Sequence, residues 1–136
     1  MSEILKRIHV VAGVIYNPSK QQVLIAKRPE HLHQGGLWEF PGGKVAEGES
    51  PEQALQRELM EELAIEVIDC SPFLLTEHDY KDKLIVLDVW AVNSFAGQPK
   101  GNEGQCIGWV DISTLNDYQF PAANYAVLAK VVAGSK

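Results

Sequence analysis

The sequence predicts one α/β domain, spanning residues 1–136, in which helices cover a mixed β-sheet. The length is the first observation behind this fold class, because 136 residues suffice for one hydrophobic core and are too few for two domains of ordinary size. The second is that no segment has a biased composition, as is typical of a folded globular protein. The third is the order of the elements, in which runs rich in β-branched residues are interleaved with two helical segments.

Each element has its own local signal. Two β-rich runs, Ile8 to Tyr16 and Gln22 to Arg28, flank a turn-forming segment and are predicted to form a hairpin. A stretch rich in glycine, histidine and proline follows from Pro29 to Gly43, and a strongly signalled helix comes after it. The remaining elements are predicted as strands at about Ile65 to Thr76, Leu84 to Val92 and Ile107 to Val110, and a closing helix at about Ala122 to Val132.

The charge and the chain start exclude several classes of partner. A formal net charge of -6 argues against a nucleic-acid polymer, because neutralising its backbone requires clustered lysine and arginine. A small anion is still compatible, since a bound metal ion can reverse the local sign. The apolar run near the start lacks a cleavage pattern, and no stretch approaches the ~18 apolar residues of a membrane span. We expect a cytoplasmic monomer that binds a small molecule and no membrane.

The two cysteines support a reducing compartment. Cys70 and Cys106 are far apart in sequence and belong to no C-x-x-C arrangement. This pattern favours packing thiols over a disulfide or a metal site.

The helix after the glycine-rich stretch has an unusual concentration of carboxylates. Ser50-Pro51-Glu52-Gln53 has the form of a capping box, which places the helix start at about Pro51. At ~100° per residue the leucines form one apolar stripe, and three glutamates share the adjacent face and point together. These glutamates are Glu58, Glu61 and Glu62.

Two interpretations of this acidic face are open. Spacing alone favours a solvated face, in which Arg57 offsets the repulsion by pairing with Glu61. The flanking residues favour a metal site, because Gly42-Gly43 allows a close backbone approach and Glu49 adds a further carboxylate. Hard oxygen ligands in this number suit Mg²⁺, with Mn²⁺ as an alternative.

The same residues resemble a known motif. Gly43, five residues, Glu49, seven residues and then Arg57-Glu58-Leu59-Met60-Glu61-Glu62-Leu63-Ala64-Ile65 resemble the Nudix box, G-x5-E-x7-R-E-U-x-E-E-x-G-U with U aliphatic. The single departure is Ala64, where the family has glycine. It raises a question about the backbone conformation after the helix and removes no ligand.

The resemblance implies an α/β/α sandwich that hydrolyses nucleoside diphosphates linked to another group, with a divalent metal. It implies that Glu58, Glu61 and Glu62 are metal ligands with Glu49 nearby, that the Gly43 carbonyl reaches the metal, and that Arg57 orients a carboxylate. The chemistry agrees, since metal ions neutralise phosphate charge and activate water. One carboxylate must stay available as the base.

The likeness extends beyond the box to family members that hydrolyse oxidised dGTP. It is carried by "LWEFPGGK" (Leu37 to Lys44), "EGQ" (Glu103 to Gln105) and "FPAANYAVLAK" (Phe120 to Lys130). It implies that Glu103 is a further metal ligand or the base and that Asn124 reads the nucleobase. Four more side chains correspond to positions near the nucleotide: Arg28, Phe40, Tyr80 and Lys83.

Plain structural roles are open for these residues as well. Glu103 fits an exposed loop, Asn124 fits a helix start, Arg28 a strand end and Phe40 the core. A side-chain amide nonetheless complements 8-oxoguanine, whose N7 carries a hydrogen beside the O6 acceptor. We therefore expect release of pyrophosphate from oxidised purine nucleoside triphosphates. The alternatives are hydrolysis of CTP or a methylated dCTP, and a non-catalytic module that binds nucleotides or damaged bases.

Overall fold

The computed structural model describes residues 6–31 and 35–134. Within these ranges it contains seven strands, two α-helices and two short 3₁₀ helices. The strands are β1 (Lys6–Ile15), β2 (Gln22–Lys27), β3 (Trp38–Glu39), β4 (Gly42–Lys44), β5 (Glu66–Tyr80), β6 (Lys83–Ala96) and β7 (Ile107–Asp111). The helices are α1 (Pro51–Leu63), α2 (Tyr125–Ala133) and the 3₁₀ segments Ile112–Asp117 and Ala122–Asn124.

The strands form two sheets. The larger has the order β4-β1-β6-β5 and is mixed, because β1 runs parallel to β6 and the other pairs are antiparallel. The smaller is antiparallel, with the order β3-β2-β7. The predicted mixed sheet is therefore confirmed, and a second sheet accompanies it.

The predicted hairpin between β1 and β2 is wrong beyond its turn. The chain does reverse there, where the Asn17 N–H donates to the Gln22 carbonyl at 3.1 Å and Tyr16 bridges to Val23. Both edges of β1 are occupied, however, by β4 and β6. Since no edge is left for β2, that strand pairs with β3 and β7 in the smaller sheet.

Alternate residues of β1 pack against opposite helices. Ala12 and Val14 belong to the hydrophobic cluster that includes Val127 and Val131 of α2. Val11 and Ile15 belong to the cluster that includes Leu55, Leu59 and Leu63 of α1. The period of two along a strand thus divides the core into two layers. The result is the α/β/α sandwich expected from the sequence.

Helix α1 begins where its sequence predicts and ends at Leu63. The Gln53 N–H donates to the Ser50 hydroxyl at 3.1 Å, and the Ser50 N–H donates to the Gln53 side chain at 2.9 Å, which completes the capping box. At the other end Ala64 adopts φ 58° and ψ 36°, and its N–H donates to the Met60 carbonyl at 3.0 Å. Ala64 therefore keeps the left-handed conformation that glycine favours, at a cost of about 1 kcal/mol.

Several boundaries differ from the prediction. Strands β5 and β6 are longer than expected and form one long antiparallel ladder interrupted by register shifts. Helix α2 begins at Tyr125, after the 3₁₀ turn.

Among the helices of residues 6–31 and 35–134, none combines the length and the hydropathy that a membrane span requires.

Candidate active site

A cleft of about 310 Å³ lies on the face of the larger sheet that packs toward α2. Apolar residues of β1 and β6 line it, including Val10, Ala12 and Leu87. Polar side chains reach it from the smaller sheet, from α1, from the β5–β6 turn and from the segment before α2. All five side chains expected near a nucleotide line this cleft: Arg28, Phe40, Tyr80, Lys83 and Asn124.

Asn124 lies at the start of α2 and makes no side-chain cap. Its backbone N–H donates to the Pro121 carbonyl at 2.9 Å, and its side-chain amide has no hydrogen bond within the described ranges. The side chain therefore does not cap the helix, which was the structural role that the sequence left open for it. Its donor and acceptor are available to a ligand in the cleft.

Phe40 lies in the hydrophobic core and also lines the cleft. The side chain is buried, and its ring stacks on Phe120 with centroids 5.3 Å apart. Phe40 is thus part of the core and also forms a wall of the cleft.

Arg57 organises one half of the acidic face. Its Nε donates to Glu49 at 2.6 Å, and its Nη1 donates to Glu58 at 2.9 Å and to Glu61 at 3.2 Å. Its Nη2 donates to the Lys44 carbonyl at 3.1 Å, which ties α1 to β4. Hydrogen bonds from Arg57, and then from the Ala46 N–H, lower the pKa of Glu49 to about 2. The expected pairing of Arg57 with a carboxylate is therefore present, and it extends to three of them.

Glu62 lies on the other half, and its carboxylate lines the cleft. It accepts a hydrogen bond from the Gly42 N–H at 3.1 Å and has no ion-pair partner in the described part of the chain. Burial, and after it the charges of Glu58, Glu39 and Glu103, together raise its pKa to about 8. The three helix glutamates thus have different partners, because Glu58 and Glu61 accept from Arg57 whereas Glu62 accepts from the Gly42 N–H.

The paired glycines let β4 pass between β1 and α1. A Cβ atom at Gly42 would overlap the Val11 carbonyl, and one at Gly43 would overlap the Glu58 carboxylate. Any side chain at Gly43 would therefore displace Glu58. Because Gly43 has no side chain, the backbone of β4 lies directly against the Glu58 carboxylate.

Glu103 belongs to an exposed loop, as the plain structural role requires. Its charge nonetheless contributes to the raised pKa of Glu62, so the two carboxylates lie close enough to interact. The structure thus brings Glu103 to the acidic face from a segment 41 residues beyond Glu62.

Sequence reasoning did not single out Glu39. This residue of β3 lines the cleft, accepts a hydrogen bond from Arg28 at 3.1 Å and contributes to the raised pKa of Glu62. Burial raises the pKa of Glu39 itself, and Arg28 opposes that shift. Its position in "LWEFPGGK", immediately before Phe40, was the available signal.

The donor set fits a divalent cation, although it does not form a complete cage. Across residues 6–31 and 35–134, no three histidine, cysteine, aspartate or glutamate side chains are already grouped around one point. The carboxylates around Glu62 nevertheless carry negative charge that Arg57 does not compensate. Mg²⁺ prefers oxygen ligands and retains several waters, so an open arrangement of carboxylates suits it.

The chain is similar to several known proteins. The 8-oxo-dGTP diphosphatase of Escherichia coli K12 is 39% identical over 127 residues, covering 93% of this chain and 98% of that protein. The CTP pyrophosphohydrolase of the same organism is 36% identical over 129 residues, covering 95% and 94%. A solved structure from a study of MutT from Aliivibrio salmonicida and Vibrio cholerae superposes with a TM-score of 0.84 at 48% identity, covering 94% of this chain and 98% of that one.

A family model described as the NUDIX domain matches residues 11–130, which include the acidic face, the loop of Glu103 and every cleft-lining residue except Val10. The chain belongs to the NUDIX domain family.

Proposed function

We propose that this protein hydrolyses oxidised purine nucleoside triphosphates, converting 8-oxo-dGTP to 8-oxo-dGMP and pyrophosphate. Clearing this nucleotide from the cytoplasmic pool would keep it out of replicating DNA and so prevent mutation. The observation that carries the proposal is that Asn124, with an unused amide, lines the same cleft as Glu62. A base reader and an acidic face therefore lie at two ends of one site. The similarity to 8-oxo-dGTP diphosphatases supports the same conclusion.

The Asn124 amide distinguishes the oxidised base from the ordinary one. Oxidation puts a hydrogen on N7 of guanine beside the O6 acceptor, and an amide offers an acceptor and a donor to match. Ordinary guanine would place N7, an acceptor, against the amide oxygen. A bidentate contact of this kind discriminates by about 1–3 kcal/mol.

The other side chains of the cleft hold the remaining parts of the nucleotide. Phe40 presents an aromatic wall to the plane of the base, and Tyr80 lies across the same cleft. Arg28 and Lys83 supply positive charge for the phosphates. Glu39 orients Arg28 through their 3.1 Å ion pair.

The acidic face holds the metal. Glu58, Glu61 and Glu62, the Gly43 carbonyl and Glu103 would supply oxygen ligands for Mg²⁺ or Mn²⁺, with Glu49 behind them on Arg57. When bound, the ion supplies charge neutralisation at the phosphates and activation of the attacking water. Arg57 keeps Glu58 beside β4, while Glu62 faces the cleft.

Two carboxylates are candidates for the general base. Glu58 accepts a hydrogen bond from Arg57 at 2.9 Å, so one of its oxygens already has a partner. Glu103 has no ion pair within the described ranges and lies on the exposed loop. Because Arg57 binds Glu58 and does not bind Glu103, Glu103 is free to take the proton while Glu58 serves as a ligand.

A second candidate is hydrolysis of CTP or a methylated dCTP. The similarity to a CTP pyrophosphohydrolase over 95% of this chain favours it. A pyrimidine lacks the N7 edge that Asn124 would read, so the base end of the cleft distinguishes the two substrates.

A kinetic panel with Mg²⁺ tests the proposal. It compares kcat/KM for 8-oxo-dGTP, dGTP, CTP and 5-methyl-dCTP and identifies the phosphate products. We expect 8-oxo-dGTP to lead by at least ~10-fold, consistent with one good bidentate contact, with pyrophosphate as product. A preference for either pyrimidine would establish the second candidate instead, and orthophosphate as the main product would contradict both.

A further inference from the structure

The C-terminal end of α1 is closed by the loop that carries Glu103. The last four carbonyls of a helix have no partner within the helix itself. Here all four accept hydrogen bonds, and three of them are bound by residues of segment 100–105. The donors are the Ala64 N–H to Met60, the Asn102 side chain to Glu61, the Asn102 N–H and the Gln105 side chain to Glu62, and the Lys100 N–H to Leu63.

Gln105 joins the two backbones most directly. Its Nε2 donates to the Glu62 carbonyl at 3.1 Å, and its Oε1 accepts from the Glu103 N–H at 2.9 Å. One amide group therefore connects the peptide of Glu62 to the peptide of Glu103. Asn102 makes a parallel connection, because its Nδ2 donates to the Glu61 carbonyl at 3.0 Å.

These bonds compensate for a loop that has little packing of its own. Gly104 has a φ of +82°, and its N–H donates to the Gly101 carbonyl at 3.0 Å in a tight turn. Asn102, Glu103 and Gly104 are all exposed. Such a segment opens easily unless it is fixed by hydrogen bonds. A carboxylate that acts at a reaction centre must be placed closely, since a shift of about 1 Å can cost ~10²-fold in rate.

We propose that Gln105 and Asn102 are positioning residues that fix Glu103 relative to Glu62. The inference rests on the proposed function, because it takes Glu103 to act on the metal or the attacking water. Neither side chain lines the cleft. Their contribution is therefore to turnover and not to nucleotide binding.

The primary test is Gln105→Met, which keeps the length of the side chain and removes both hydrogen bonds. We expect kcat for 8-oxo-dGTP with Mg²⁺ to fall about 10- to 100-fold, the range found for residues that orient metal ligands, while KM stays unchanged. Amide hydrogen exchange in segment 100–105 of the metal-free protein should accelerate. Asn102→Ala should show both effects more weakly, since its backbone bond to Glu62 remains.

The matched control is Gln98→Met. Gln98 is an exposed glutamine just before the same segment, and its side chain has no hydrogen bond within the described ranges. It should leave kcat, KM and exchange unchanged. Equal exchange rates in Gln105→Met and in the wild type would overturn the proposal.

A double-mutant cycle distinguishes positioning of Glu103 from a general effect on the fold. If Gln105 acts through Glu103, adding Gln105→Met to Glu103→Gln should change kcat by less than about twofold, because the group it positions is already inactive. Multiplicative losses would overturn the proposal. A large loss in Glu103→Gln with none in Gln105→Met would reject the positioning role alone, whereas full activity in Glu103→Gln would also reject the proposed role of Glu103.

Discussion

The acidic face of α1 has two halves with opposite electrostatics. On one side, Arg57 contacts Glu49, Glu58 and Glu61, and the pKa of Glu49 falls to about 2. On the other side, Glu62 faces the cleft with no ion pair to any described residue, and its pKa rises to about 8. Apart from Glu49, which precedes the helix, the carboxylates named here belong to α1. The two halves differ in whether an arginine side chain pairs with the carboxylates.

This difference indicates where a metal ion is needed. In the first half, one guanidinium binds three carboxylates and fixes their geometry without a ligand. Glu62, by contrast, has no ion-pair partner in the described part of the chain, and the nearby carboxylates of Glu58, Glu39 and Glu103 contribute to its raised pKa. A divalent cation would stabilise this second half, while the first half keeps the ligands oriented.

The largest expected effect is the loss of activity when the uncompensated half is changed. Glu62→Gln should lower kcat by about 10³-fold, because charge neutralisation at the phosphates depends on the ion held there. Steady-state rates at saturating nucleotide and Mg²⁺ measure the loss. Glu47→Gln, at an exposed carboxylate with no partner within the described ranges, is the control. Comparable rates for the two variants would remove the distinction between the halves.

The base end of the cleft should show the next largest effect. Asn124→Ala should lower kcat/KM for 8-oxo-dGTP by roughly 2–3 kcal/mol, about 30- to 150-fold, and lower it much less for dGTP. Higher Mg²⁺ should not restore the activity, since the acidic face is untouched. Asn116→Ala, at an exposed asparagine outside the cleft, serves as the control. Equal losses for the two nucleotides would show that Asn124 does not read oxidation.

Changing the compensated half should have a smaller effect. Arg57→Lys keeps the charge and loses the fork that binds three carboxylates, so we expect kcat to fall about 10-fold. The pKa of Glu49 should rise from about 2 toward 4.5, the ordinary value of a glutamate, as NMR titration of the carboxyl carbon would show. Arg7→Lys, whose ion pair with Glu77 is exposed, is the matched control. An unmoved Glu49 pKa would contradict the role given to Arg57.

The smallest effect concerns the end of α1, where both halves are held in place. Ala64→Gly relieves a left-handed alanine at a small cost in unfolded-state entropy, so it should stabilise the fold by about 0.5–1 kcal/mol. Urea unfolding measures this gain. Gln56→Gly, in the exposed middle of the same helix, should instead destabilise by a similar amount. A loss of stability in Ala64→Gly would mean that the alanine is not strained.

Local signals explain why α1 could be predicted, whereas the cleft residues Arg28, Phe40, Tyr80, Lys83 and Asn124 were expected from the family resemblance. The capping box and the leucine stripe depend on neighbouring residues, so the helix begins at Pro51 as expected. Strands β3 and β4 have two and three residues, too few to show a period, and they form because other strands offer an edge. The different hydrogen-bond partners of Glu62 and Glu61 also escaped prediction, because Gly42 and Arg57 reach these carboxylates only in the folded chain. Glu39 was missed for the same reason.

The pH dependence of stability with and without Mg²⁺ tests the comparison most directly. The pKa of Glu62 is about 8 in the folded protein and 4.5, the ordinary glutamate value, in the unfolded chain, so the folded protein retains a proton that the unfolded chain releases. Metal-free wild type should therefore be destabilised, relative to Glu62→Gln, as pH rises from about 4.5 to 8, by on the order of 1 kcal/mol per pH unit. Saturating Mg²⁺ at pH 8 should restore the wild type and stabilise Glu62→Gln far less. Parallel pH profiles for the two proteins, or equal stabilisation by Mg²⁺, would contradict the account.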